Sequence, residues 1–186
     1  VWVIDPIDGT TNFVYDHPGW SVSVAACVDG RPLAAAVVVP SLRRTYRAAR
    51  GGGAYEDGRR LRLDEPPQLP AALVATGFGY DPTRRAAQAD VLRGLLPLVR
   101  DVRRMGAASV DLCSVAAGRV DAYYEWGLAP WDMAGGWLVA TEAGALVTDL
   151  SGGDPSSEMV IAAAPRLHRD LRALLEELLG GGCTTA

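Results

Sequence analysis

Asp5-Pro-Ile-Asp-Gly-Thr-Thr-Asn-Phe13 follows directly on the apolar run Val1-Trp-Val-Ile4. It sets two carboxylates three residues apart around a proline. Pro6 fixes its own φ and offers no N–H to a neighbouring strand, so the sequence predicts a turn that ends strand pairing there. Such a turn can bring Asp5 and Asp8 to one side, where they repel unless a cation lies between them. Hard oxygen donors suit Mg²⁺, which keeps waters and takes phosphate oxygens as further ligands. Gly9 permits close backbone approach, and Thr10-Thr11 reads as the start of a helix whose free N–H groups favour an anion. Metal and phosphate sites would then adjoin within one short segment. The alternative for a bare D-x-x-D-G-T string is an Asx turn and helix cap without metal. An aspartyl-phosphate phosphatase fits poorly: its D-x-D-x-T motif spaces the aspartates two apart and it uses a distant basic residue, usually lysine, whereas all 18 basic residues here are arginine.

Around this motif the chain has 186 residues, 49% of them apolar, enough for one domain with a real core. Its net charge of −4 argues against a nucleic-acid partner, which needs a concentrated basic face. No apolar run is long enough to span a bilayer and no signal peptide is evident, so a cytoplasmic, reducing location is the expectation. Three cysteines without C-x-x-C spacing and only two histidines disfavour zinc; Cys27 and Cys113 read as small core residues. The chain begins with Val rather than Met, and Val1 to Ile4 reads as a strand already under way. The expectation is therefore a domain over residues 1–179 that is incomplete at its N-terminus, with 180–186 as a disordered tail.

Strand signals crowd the first half: Ser21 to Val28, then Asp29-Gly30 as a hairpin turn and Leu33 to Val39, then Arg44 to Ala49 and a second tight hairpin at Asp57-Gly58. Ala72 to Thr76 reads as a short buried strand. Helical periodicity runs from Arg84 to Val102, with Pro97 a kink or break. Helix and strand then alternate: Ser109–Ala117, Val120–Trp126, Trp131–Ala143, Leu146–Leu150, Met159–Ala164 and a last amphipathic helix from Pro165 to Leu179. The whole predicts layered sheets and helices of an α/β type.

A second motif, Trp131-Asp132-Met-Ala-Gly-Gly136, stands at the head of one of these helices. Asp132 reads either as a simple N-cap or as a third carboxylate closing the metal site. Ala134, Gly135 and Gly136 leave room for close packing against another backbone. Glu142 reads as structural, the arginine pairs as solvated surface, and Trp20, Trp126 and Trp137 as core or interface aromatics. Arg103-Arg104 stands out because it precedes Gly106. Tyr80 reads as surface packing, and His17 is not a catalytic candidate.

Asp5-Pro-Ile-Asp-Gly-Thr10 paired with Trp131-Asp132-x-Ala-Gly135 resembles the inositol monophosphatase family of Mg²⁺-dependent phosphatases. The resemblance extends through Gly106-Ala-Ala108, Asp121-Ala-Tyr-Tyr-Glu125 and Thr141-Glu-Ala-Gly144. It implies a layered α/β/α/β/α sandwich of the inositol monophosphatase/fructose bisphosphatase type, here lacking its N-terminal helices, usually assembled as a homodimer. It implies two or three Mg²⁺ ions and inhibition by Li⁺. Asp5 would bridge two metals, the Ile7 carbonyl would bind the first, and Asp8 and Asp132 would complete the second. Gly9 and Thr10 would hold phosphate through backbone N–H groups, and Thr10 with Asp5 would serve catalysis by orienting a metal-activated water. Gly106, Ala107, Ala108, Glu125 and Asp132 would contact the alcohol portion of a small phosphate monoester. Histidinol phosphate or a 3′-phosphorylated nucleotide are alternative substrates, and a non-catalytic metal- or phosphate-binding role is an alternative of another class. Two departures matter. The family's Gly-Glu-Glu segment would lie before Val1, leaving this chain poorly active by itself. Ala107 also stands where the family usually has Ser or Thr, which puts inositol recognition in question.

Overall fold

The computed structural model describes residues 1–180. Of the tail expected over 180–186, Gly180 instead closes the last helix, and the rest, with Cys183, lies outside the described residues. Strands β1 (Trp2–Asp8), β2 (Ser21–Val28), β3 (Arg31–Val39), β4 (Arg44–Ala49), β5 (Gly53–Glu56) and β6 (Arg59–Leu61) form an antiparallel meander in sequence order. Both expected hairpins form. Asp29-Gly30 has φ of 51° and 77°, and Asp57-Gly58 has 47° and 86°, the paired left-handed turn that matches strand twist. Along β2 the side chains alternate: Ser21, Ser23, Ala25 and Cys27 are buried while Val22, Val24 and Ala26 are half-buried.

The first motif departs from the expected turn. β1 does not stop at Pro6 but continues to Asp8 through an irregularity. Asp5 pairs with Ser23 and Asp8 with Ser21, so three steps of β1 span two steps of β2. This one-residue bulge matters more than a turn would. In a regular strand residues i and i+3 face opposite sides; the extra residue returns Asp8 to the face of Asp5. Pro6, without an N–H, fits where the ladder is interrupted.

The second sheet runs in the order β10–β11–β9–β7–β8. It comprises β7 (Leu73–Thr76), β8 (Asp101–Arg103), β9 (Ala122–Glu125), β10 (Leu146–Thr148) and β11 (Val160–Ala163). β7 is parallel to β8 and β9; the remaining pairs are antiparallel. Besides the short α1 (Thr10–Val14), the helices are α2 (Pro82–Leu95), α3 (Ala108–Ala116), α4 (Pro130–Glu142) and α5 (Pro165–Gly180). The helical stretch expected from Arg84 to Val102 does break at Pro97, but its last part is corrected from helix to strand. The helix ends at Leu95, a 3₁₀ turn carries Pro97, and β8 follows. Proline removes a helix hydrogen bond and clashes with the preceding turn, which frees the chain to re-enter the sheet.

Three apolar clusters order the layers. Ala25, Val37 and Tyr46 of the first sheet pack on Val110, Cys113, Leu138 and Val139 of α3 and α4. The opposite sides of those helices, through Leu112, Val115 and Met133, meet Tyr123, Val160 and Ala162 of the second sheet. The far face of that sheet is covered by Val91 and Leu95 of α2 and by Leu167, Leu171 and Leu175 of α5. These three leucines recur every fourth residue and are fully buried, so truncating any one costs about 2–5 kcal/mol. The order is sheet, helices, sheet, helices: the mixed α/β sandwich without one outer helical layer. Among the described residues nothing covers the outer face of β1 to β3, where Trp2 and Ile4 are 71% and 53% exposed. Cys27 and Cys113 are buried free thiols, and Glu142 accepts hydrogen bonds from Gly51 and Gly53 N–H, as structural readings of these residues require.

Candidate active site

The bulge of β1 and the N-terminus of α4 meet in a cleft of 420 Å³ between the two sheets. All ten residues singled out from the sequence line it. Asp5, Ile7, Asp8, Gly9 and Thr10 come from the first motif, Gly106, Ala107 and Ala108 from the approach to α3, Glu125 from the end of β9, and Asp132 from α4. The carboxylates of Asp5, Asp8 and Asp132 each bring one oxygen within 4.8 Å of the others.

Each carboxylate is tethered. Ile7 N–H donates to Asp5 Oδ1 at 3.0 Å. Ser109 donates to Asp8 Oδ2 from both its N–H (2.8 Å) and its hydroxyl (2.6 Å). Ala129 N–H donates to Asp132 Oδ2 at 2.7 Å. Asp132 is therefore the third residue inside α4, reaching back to the N-cap, and not the cap itself. The Thr10 hydroxyl donates to the Ile7 carbonyl at 3.1 Å. Buried Asn12 ties α1 to the opposite wall by donating to the Met105 carbonyl at 2.7 Å. That clamp sets Gly9 so close to the next segment that a Cβ there would lie 3.0 Å from Ala107 Cβ, and its φ of 83° adds a second demand for glycine.

The electrostatics are those of an acidic cluster short of positive charge. Burial pushes Asp8 up to about 7 against the Ser109 hydrogen bonds, and the charges of Asp132 and Asp5 push the same way. Burial also raises Asp132, with Asp5 adding to it. Glu125 reaches about 7, again mainly through burial; the Tyr123 hydroxyl and the Arg104 charge oppose the rise. Asp111, behind the cleft, is raised well above its ordinary value by burial, then by Glu125 and Asp8, and neither of its oxygens has a hydrogen-bond partner. A divalent cation fits this donor set. It would remove the repulsion among three hard carboxylate ligands that burial alone leaves uncompensated.

Other residues also border the cleft, some of them given no site role by the sequence. Gly77, Phe78 and Gly79 line it beyond β7, and Gly77 leaves the space that the Glu125 carboxylate occupies. Arg104, which stands out in the sequence before Gly106, lines it; Arg84 does too, so that arginine is not merely solvated surface; Tyr80 is 78% exposed yet also borders the opening. Ser109 and Ser21 lie beneath it. A wider groove of 630 Å³ between Arg60 and Arg169 lies away from the cleft; among the described residues only Asp5, Asp8 and Asp132 gather as a possible metal-binding set. No helix of the described residues is long and apolar enough to cross a membrane.

Comparison with known proteins agrees with this geometry. The inositol monophosphatase family model matches residues 1–179. Inositol-1-monophosphatase SuhB of Mycobacterium tuberculosis is 50% identical over 96% of this chain, which spans 63% of that relative's length. A Pasteurella multocida relative named Nus factor SuhB is 44% identical over 91% of this chain and 65% of its own. The solved structure of Mycobacterium tuberculosis SuhB superposes with a TM-score of 0.88 at 48% identity, covering 96% of this chain and 72% of that one. With the match running through both acidic motifs and both sheets, the chain belongs to the inositol monophosphatase family.

Proposed function

We propose that the protein is a Mg²⁺-dependent phosphomonoesterase acting on a small polyol phosphate, with inositol monophosphate as the leading substrate. The observation that carries this reading is the buried triad Asp5, Asp8 and Asp132, whose oxygens converge within 4.8 Å beside the Gly9-Thr10 backbone. Asp5, the Ile7 carbonyl, Asp8 and Asp132 would hold the metal. Bound there, Mg²⁺ supplies Lewis acidity: it neutralises charge on phosphate oxygens and lowers the pKa of water.

The chain's own groups do the rest. Gly9 and Thr10 N–H groups hold the phosphate from the side facing α1. The Thr10 hydroxyl has its proton committed to the Ile7 carbonyl, so its oxygen is left to accept from the attacking water and orient it. Attack is in line: the water oxygen bonds to phosphorus, the ester P–O bond breaks, and the proton the water gives up goes to the departing alcohol oxygen, with no phosphoenzyme. Glu125 sits opposite, with Oε2 accepting from Tyr123 at 2.7 Å, leaving Oε1 for substrate hydroxyls. Gly106 to Ala108 form the adjoining wall, and Asp132 reaches both metal and alcohol. We place the activity in the full-length polypeptide, as a homodimer in the cytoplasm.

Phosphate release by the full-length protein tests the reading, with inositol monophosphate, histidinol phosphate and a 3′-phosphorylated nucleotide as substrates. Turnover of inositol monophosphate should require Mg²⁺ and fall on adding Li⁺. Asp132→Asn should lower it by at least about 100-fold with an unchanged melting temperature. Turnover that is indifferent to Mg²⁺, or undiminished in Asp132→Asn, refutes it. No turnover of any phosphate by a protein that binds Mg²⁺ favours a non-catalytic binding role instead.

A further inference from the structure

Asp8 is the one carboxylate of the triad tethered by a side chain. Its Oδ2 accepts twice from Ser109, at 2.8 Å from N and 2.6 Å from Oγ. A carboxylate oxygen carries two lone pairs, so Oδ2 is saturated. The Ser109 hydroxyl has one proton and gives it to Asp8; the contact of 2.6 Å between the Ser109 and Ser21 hydroxyls must therefore be a donation from Ser21. The result is a directed relay, Ser21 to Ser109 to Asp8, in which both serines are 0% exposed. Asp5 Oδ1 and Asp132 Oδ2 differ, because each accepts one backbone N–H and keeps a lone pair.

We propose that Ser109, supported by Ser21, is a positioning residue that restricts Asp8 to ligation through Oδ1 alone and thereby favours Mg²⁺ over Ca²⁺. This rests on the metal-dependent reading above. Mg²⁺ demands near-octahedral geometry from single oxygen donors, whereas Ca²⁺ takes six to eight oxygens and accepts a carboxylate that chelates with both. An Oδ2 with both lone pairs engaged cannot join a chelate. Without the Ser109 hydroxyl, Oδ2 regains a lone pair, and the carboxylate is held by one N–H instead of two donors. It can then turn about its Cβ–Cγ bond and offer both oxygens to a larger ion. Backbone donors tether the other two carboxylates, so Ser109 is where a side-chain change can reach the coordination mode.

Calorimetric titration of the full-length protein with Mg²⁺ and, separately, Ca²⁺ tests the proposal without reference to turnover. Ser109→Ala should weaken Mg²⁺ binding about tenfold while Ca²⁺ binding holds or tightens, so that the Mg²⁺/Ca²⁺ affinity ratio falls about tenfold. Ser21→Ala should move the ratio the same way by less, and the double variant should not exceed Ser109→Ala, because the two hydroxyls act in series. An unchanged ratio in folded Ser109→Ala, or equal losses for both ions as from a general loosening, overturns the proposal. If Ser109→Ala does not fold, Ser21→Ala decides: a lowered ratio supports the relay and an unchanged one overturns it. A wild-type protein that binds neither ion defeats the metal reading, and the relay with it. That outcome is distinct from a wild type that binds both ions and a variant that matches it.

Discussion

Replacing Gly136 with alanine tests the packing that brings the two halves of the site together. A Cβ at this position would stand 2.6 Å from Leu112 Cβ, 2.9 Å from Leu112 Cδ1 and 3.2 Å from the Ser109 carbonyl oxygen. The first and last of these belong to the frame of α3 itself, and no rotamer change moves them. Carbon atoms rest at about 3.5–4 Å, so α3 and α4 must part by about 1 Å. Alanine gains about 1 kcal/mol over glycine in a helix interior. Overpacking costs about 1–3 kcal/mol and reaches the top of that range or beyond when neither partner can yield. The expected net loss is about 2 kcal/mol, or about 4–8 °C in Tm for a domain of this size. Binding should suffer as well, because α4 carries Asp132 while Ser109 on α3 holds Asp8; helices forced apart carry the two carboxylates with them. Gly94→Ala in α2 is the control, since its new Cβ would meet the δ-carbons of Leu178, the tip of a half-buried side chain that can turn aside. Urea and thermal denaturation followed by circular dichroism, with Mg²⁺ titration of each variant, measures both effects. Gly136→Ala as stable as wild type, or no worse than Gly94→Ala, would show that helix propensity governs here and refute the close-contact argument.

Glu56 is a buried carboxylate whose oxygens meet Arg119 at 2.6 Å and Arg59 at 2.9 Å. Burial alone would raise its pKa, but the hydrogen bonds from Arg59 and Arg119 and the Arg119 charge hold it below the ordinary value. Glu56→Gln should lose about 2 kcal/mol in urea denaturation while leaving Mg²⁺ affinity unchanged; equal stability would refute a net gain from this pairing. His168 is buried against Thr148, and burial, then the Arg172 and Arg169 charges, lower its pKa from 6.5. The unfolded chain therefore takes up the proton first as pH falls, so stability should drop from pH 7 through 6.5 and below. His168→Gln should flatten that drop, and an identical pH dependence in wild type and variant would show that His168 does not contribute.

Much of the site was legible because its chemistry is carried by residue types at fixed spacing. Asp5, Asp8 and Asp132 announce hard-ligand chemistry whatever the path between them, and both Asp-Gly hairpins follow from their turn geometry. What escaped were relations across the chain. Ser109 looks like any small helix residue until it is seen to hold a carboxylate 101 positions earlier. β8 is three residues long and follows a helical pattern without a break in hydrophobicity, so only the pairing with β7 shows it as a strand. Gly77 matters only because Glu125 fills the space beside it, and Arg84 only because its helix starts at the cleft.

Asp5 and Asp8 show how one local irregularity decides both fold and site. Read as a turn, the motif explains two nearby carboxylates but leaves the strand ended and the direction of each side chain undetermined. As a bulge it keeps β1 paired on both sides, at Asp5–Ser23 and Asp8–Ser21, and turns both carboxylates toward the inner face. There they are 8% and 6% exposed. That position carries a cost, since buried anions that repel one another oppose folding. The backbone donors, the serine relay and the close packing of α3 on α4 hold them in place despite it. A cation that binds the folded state alone would offset part of that cost by mass action, about 2.7 kcal/mol at a hundred times its dissociation constant. Repulsion among these carboxylates and the divalent-ion affinity proposed for them thus have one origin, the bulge, which sets this family's first acidic motif on a sheet irregularity rather than a loop.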